Sequence, residues 1–197
     1  MRVRPLAGIL LLPAILATAG CDAVLTTAQL TPVREDGILG EWKDLGVPGT
    51  KPEADRLVIR FTEGMYRIGT ASDFESGKAT AFTLSRAGSA LIAQSAGEGQ
   101  CDEFSAGKGQ ACWMLNRVEL VRDRLNWYDF DAQRLGRESF SGSLNIAHSV
   151  HRERKNNGSF DTSVLLSADA AGLQRFLEGY ATRKRVLLLT GRLERMR

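Results

Sequence analysis

Histidine is nearly absent from this chain, with 2 among 197 residues, and cysteine is scarce at 3. So few imidazoles and thiols leave little material for a zinc site or a hydrolytic triad. Motifs for nucleophiles and phosphate are missing too. There is no G-x-S-x-G elbow, and Gly77-Lys78-Ala79 lacks both the preceding Gly and the Ser/Thr of a phosphate-binding loop. Neither sign of charge dominates: 26 basic and 23 acidic side chains leave a net charge of +3. That balance supplies no general field for nucleic acid, which is not an expected partner. No cofactor motif occurs, and no cofactor is expected. At 43% hydrophobic residues the composition is that of a folded globular chain.

What is present begins at the N-terminus. Arg2 and Arg4 precede an uncharged apolar run over residues 5–20, 16 residues long. A spanning helix needs about 20 such residues. A basic start, a short apolar stretch and a small-residue end (Leu16-Ala17-Thr18-Ala19-Gly20) mark a secretory signal peptide. With Cys21 directly after it, the segment resembles a bacterial lipoprotein signal. The family favours Leu three places before the Cys; here Thr18 stands there, with Leu16 two residues earlier. The resemblance implies that Cys21 receives a diacylglyceryl group and becomes the new N-terminus, so the membrane is reached through an N-terminal lipid. It implies nothing about the fold behind it. The alternative is an ordinary signal peptide cut near Ala17 or Ala19, with Cys21 a plain thiol.

Several expectations follow from that address. Asp22 resembles the enteric signal for staying at the inner membrane, which favours its periplasmic face over the outer membrane. Removing residues 1–20 leaves 177, enough for one domain with its own core. Two of the 26 basic groups leave with them, so the mature chain balances 24 basic against 23 acidic side chains, a net charge of +1. Lipidation would consume Cys21, leaving Cys101 and Cys112 as an even pair in an oxidising compartment. The ten residues between them are polar and Gly-containing, flanked by strand-like runs, so a disulfide is expected there. A loop of that length contributes about 3 kcal/mol. Residues 21–37 read as a lipidated N-terminus and tether, and residues 38–197 as a single β-rich domain.

Short β-type runs separated by turn residues fill that domain. They cover 57–61 and 65–68 around Glu63-Gly64, 79–85 and 89–95 around Ala87-Gly88, and 112–121 and 124–130 around Asp123. Met114, Val118 and Leu120 share a face that Asn116 interrupts, and Tyr128 and Phe130 lie opposite Trp127 and Asp129. Residues 139–146 alternate as a strand, and Asn156-Asn157-Gly158 signals a hairpin turn before 162–166. One helix stands out at about 168–181, capped by Ser167. Leu173, Phe176, Leu177 and Tyr180 form its single apolar stripe. A final strand starts near Val186. The fold expected is mainly β (α+β), an antiparallel barrel or curved sheet with one C-terminal packing helix and a last strand.

Gly40-Glu41-Trp42 at the domain entrance is similar to the G-x-W at the start of lipocalin barrels. That resemblance implies a Trp plugging the closed end of a barrel, beneath a ligand cavity. The other reading of Trp42 is an ordinary core aromatic.

Three functional classes remain open. The leading one is a non-enzymatic binding or interaction module of the cell envelope, with a protein partner or an apolar ligand. The second is a lipocalin-like carrier of a small apolar molecule. The third is a metal-dependent envelope enzyme using His148, His151 and Glu153, whose residue types suit zinc. A strand there would point the two histidines apart, and the simpler expectation is solvated loop side chains and no metal. Asp129 and Asp131 would share one side if their strand continued, and solvated carboxylates are the expected reading. A hydrolytic triad would need a His beside a Ser, and no local motif places one there. The basic excess of residues 183–197 reads as protection of an edge strand, compatible with an anionic bilayer nearby. A cavity above Trp42 would favour the carrier, a filled core the interaction module, and convergence of the histidines the enzyme.

Overall fold

Alternating apolar runs ended by tight turns favour pairing between neighbours in sequence, and from residue 40 to residue 130 they pair in that order. The computed structural model describes residues 22–52, 54, 56–97, 100–104 and 109–197. The first strand, β1 (Ala23–Thr26), stands outside the barrel. Strands β2 (Gly40–Asp44), β3 (Leu57–Thr62), β4 (Met65–Gly69), β5 (Thr80–Ala87), β6 (Ala90–Ala96), β7 (Trp113–Val121) and β8 (Arg124–Phe130) form an antiparallel meander. Glu63 and Gly64, at φ 55° and 80°, make a two-residue turn of the kind that matches strand twist.

After β8 the chain makes helix α2 (Ala132–Phe140), the hairpin β9 (His148–Arg154) and β10 (Phe160–Leu166), and helix α3 (Ala170–Tyr180). The short helix α1 (Ala71–Glu75) sits earlier, between β4 and β5, with a capping box between Thr70 and Asp73. Strand β11 (Leu187–Arg195) then inserts between β8 and β2 and closes an eight-strand barrel. Among the described residues no helix is long and apolar enough to cross a membrane.

The sheet branches at β7. Its residues 116–121 pair with β8, whereas Met114 and Trp113 pair with Leu25 and Thr26 of β1. Beyond β1 lie β10, parallel to it, and β9, which makes a three-stranded flap. Helices α2 and α3 cover the flap and the outer barrel wall, and Leu135, Phe130, Ile92, Leu173, Leu177 and Val164 form the core between them. Gly136 permits that approach, because a Cβ there would lie 3.1 Å from the Thr162 methyl. On the other flap face the disulfide Cys101–Cys112 pins the β6–β7 connection over Leu25, Leu165 and Phe104.

Four sequence expectations need correction. Residues 22–37 are not a free tether. Ala23–Thr26 form β1, held between β10 and β7, strands far away in the chain, and Leu30 is a core residue. Residues 139–146 are not a strand: Asp131 caps α2 by accepting from the Arg134 N–H, and the helix runs through Phe140. The cap of the C-terminal helix is Asp169, not Ser167, and the helix spans 170–180. The C-terminal part of strand β11 is no edge, since Leu193 and Glu194 are paired with both β8 and β2. The outer edge belongs to β9, where Arg152, Glu153 and Arg154 are exposed.

Candidate functional site

The barrel interior is the first place to look for a site, and its two ends differ. At the end holding the 63–64 and 122–123 turns, residues 30–39 cross the opening. The Val33 N–H donates to the Leu84 carbonyl at 2.7 Å, and the Tyr66 hydroxyl lies 2.5 Å from the Glu35 N–H, which it accepts. Ile38, fully buried, fills the centre of this end. Trp42 lies beside it and donates its indole N–H to the Ile38 carbonyl at 2.9 Å. The Arg195 guanidinium lies 4.4 Å from the centre of the Trp42 ring and donates to the carbonyls of Leu39 and Gly37. Gly40, at φ 123°, adopts a backbone that a side chain would strain, and a Cβ would press on Arg195 at 3.2 Å.

Above Trp42, aromatic side chains meet across the lumen. Phe82 on β5 meets Trp127 on β8 edge-to-face at 5.3 Å, across the barrel. Tyr66 stacks on Phe82 at 5.3 Å, and Phe61 meets Tyr66 at 4.9 Å. Leu57, Ile59, Ile68, Leu84, Val118, Leu125 and Leu193 occupy the remaining wall positions.

Toward the opposite end the inward positions turn polar. Asn116, which broke the apolar stripe in the sequence, faces Asp129 across the β7–β8 pair and donates to its Oδ1 at 2.6 Å. Thr190, the extra residue where β11 shifts register, donates to the same oxygen at 3.1 Å. Burial pushes the Asp129 carboxyl above its ordinary value, and these two bonds hold it back only in part. Ser95 Oγ, Asn116 Oδ1 and Trp127 Nε1 are buried without a hydrogen-bond partner among the described residues. Asp131 does not join Asp129, because the strand ends at Phe130 and Asp131 turns away to cap α2.

A concavity of about 570 Å³ lies outside the barrel, between α3 and residues 143–147. Leu144 and Ile146 line one wall, and Phe176 and Tyr180, stacked at 4.7 Å, line the other. Arg175 and Arg183 stand at its rim, and the Arg183 guanidinium lies 5.3 Å from the centre of the Tyr180 ring. The Tyr180 hydroxyl donates to Glu138 at 2.8 Å, and burial followed by that carboxylate pushes the phenol strongly upward. It therefore stays neutral and fixes the groove floor. An apolar floor under two cations suits a partner that presents an apolar side chain beside a carboxylate.

The histidines do not converge. Both lie on β9, where a spacing of three sends them to opposite faces. His151 Nε2 is 4.0 Å from Glu103, and its ring lies edge-on to Phe104. Glu153 is exposed on the β9 edge. Among the described residues no three His, Cys, Asp or Glu side chains are placed to hold a metal.

His148 instead meets a serine, which no local motif announced. Its Nε2 is 2.6 Å from Ser139 Oγ and its Nδ1 is 2.6 Å from the Ile146 carbonyl. A carbonyl only accepts, so Nδ1 carries a proton, and in the neutral imidazole Nε2 accepts from the serine hydroxyl. Nucleophile activation uses the same contact. Ser139, however, is in the last turn of α2, where carbonyls and the negative end of the helix dipole oppose an oxyanion. The pair ties the end of α2 to the start of β9. Cys21 lies outside the described residues. No protein-family profile, curated protein or solved structure matches the chain.

Proposed function

We propose that the protein is an envelope lipoprotein, held at the periplasmic face of the inner membrane by acyl chains on Cys21, that acts as a non-enzymatic interaction module. The observation that carries the module reading is the contact of Phe82 with Trp127 across the lumen. Aromatic side chains occupy the space where a carrier of this shape would hold its cargo, so recognition falls to the outer surface. There the groove of α3 offers Phe176 and Tyr180 as rigid anchors and Arg175 and Arg183 as charge selectors. Its partner is a protein segment with an apolar anchor and flanking carboxylates.

The test is photo-crosslinking in native membranes from position 176, with position 121 at the closed barrel end as the comparison. A partner captured only from 176, and lost when Arg183→Glu reverses the rim charge, supports the module. Equal capture from both positions contradicts it.

A second reading is carriage of a small molecule in the upper lumen. It is favoured by the three unpartnered polar atoms of Ser95, Asn116 and Trp127. Native mass spectrometry of the protein released from membranes separates the two: a stoichiometric small-molecule adduct, lost in Asn116→Leu, would choose the carrier.

A further inference from the structure

Phe140 and Phe160 leave 68% and 45% of their surface open, on the same side of the flap. The Arg152 guanidinium lies 5.0 Å from the centre of the Phe140 ring and 5.8 Å from that of Phe160. In the β9–β10 register Arg154 sits opposite Phe160 and Arg152 opposite Thr162, so both arginines share the sheet face that carries Phe160. Helix α2 adds Arg137, three residues before Phe140 and therefore on its side of the helix. Among the described residues none of Arg137, Arg152 and Arg154 enters a salt bridge. The patch is thus aromatic and cationic at once.

The place where the chain reaches this patch is fixed. Asp22 Oδ1 accepts from the Thr162 N–H at 2.8 Å and from the Gln133 amide at 3.0 Å. The same Gln133 amide donates to the Phe160 carbonyl at 2.6 Å. Cys21 is the residue directly before Asp22 in the sequence. A flexible tether would leave the domain free to tumble over a bilayer. Here acyl chains on Cys21 would have no slack, and the surface beside Asp22 would meet the lipid.

We infer that the face carrying Phe140, Phe160, Arg137, Arg152 and Arg154 rests on an anionic phospholipid bilayer. This rests on the reading of Cys21 as the lipid anchor. Phenyl rings seat at the boundary between head groups and acyl chains, and the arginines lay their stems along the apolar region with guanidiniums at the phosphates.

The full, acylated chain in vesicles of phosphatidylglycerol and phosphatidylcholine tests this. Nitroxide labels go on Phe140→Cys, Phe160→Cys and, as a solvent-facing comparison, Val121→Cys, whose native side chain is 51% exposed. Collision rates with oxygen, which concentrates in lipid, and with a water-soluble nickel chelate report depth. The oxygen-to-nickel ratio should be several-fold higher at 140 and 160 than at 121. Equal ratios at all three positions overturn the inference. The mass of the Cys21 peptide from the same vesicles judges the anchor separately. Acylated protein with equal ratios removes the membrane face and keeps the anchor. Unacylated protein that still shows the higher ratios removes the anchor and keeps the face. Protein that does not join the vesicles overturns both.

Discussion

Arg195 holds the closed end of the barrel from three sides: its charge lies over the Trp42 ring and its N–H groups satisfy the carbonyls of Gly37 and Leu39. A cation over indole contributes about 0.5–2 kcal/mol, and each hydrogen bond from a charged donor about 1.5–3 kcal/mol when its acceptor would otherwise be buried and unmet. Arg195→Ala should therefore lower the unfolding free energy in urea by about 3 kcal/mol, and Arg195→Lys should recover only part of it. A loss below about 0.5 kcal/mol would show that residues 30–39 close the barrel without this contact. Asp129 makes a different prediction. Burial raises its folded-state pKa above the unfolded value, so the group contributes stability below the unfolded pKa and loses it as pH rises through the folded one. Asp129→Asn keeps an acceptor for Asn116 and Thr190 and cannot ionise. Its melting temperature relative to the native protein should be higher at pH 8 than at pH 4; an equal difference at both would contradict the buried placement. Asn116 shows how a polar residue in an apolar stripe can be read. It breaks the periodicity of β7 because it faces an acid on β8, a pairing that a single strand cannot announce.

Among the elements, those whose signals are local were legible. The hairpins around Glu63-Gly64, Ala87-Gly88 and Asp123 stand where turn residues interrupt period-two runs, and α3 stands where four apolar residues mark one helical face. The Cys101–Cys112 bridge followed from compartment and spacing. Two of the elements that escaped, β1 and α2, are made by distant partners. Four residues of β1 carry no periodicity, and their hydrogen bonds come from β10 and β7. Helix α2 has a mixed sequence, but Asp131 caps it and Gly136 lets it lie on Thr162. Ser139 and His148 met for the same reason, since a helix end and a strand start became neighbours. Asp131→Ala should cost about 1 kcal/mol through the lost cap, and Gly136→Leu more than about 2 kcal/mol by lifting α2 from the flap. Thermal melts that rank the two in the opposite order would contradict this packing. Reducing the disulfide should cost about 3 kcal/mol and raise amide exchange first around Phe104 and Leu165, the residues it covers.

At the scale of the molecule, a closed barrel with a packed lumen divides labour between its surfaces. In the proposed arrangement the interior specifies the fold, the α3 groove takes the partner, and the flap face beside Asp22 meets lipid. Asp22 also belongs to this scale. Its carboxylate holds β10 and α2 together at the chain's entry, so Asp22→Ser should loosen the flap as well as alter any sorting signal. Both effects are separable, because limited proteolysis reads the first and fractionation of the two membranes the second. The whole arrangement depends on what is joined to Cys21. Mass spectrometry of the N-terminal tryptic peptide from native membranes, which ends at Arg34, measures that directly. The account predicts a peptide that begins at Cys21 and carries a diacylglyceryl group on its sulfur; a peptide that begins elsewhere, or an unmodified thiol at Cys21, would contradict it.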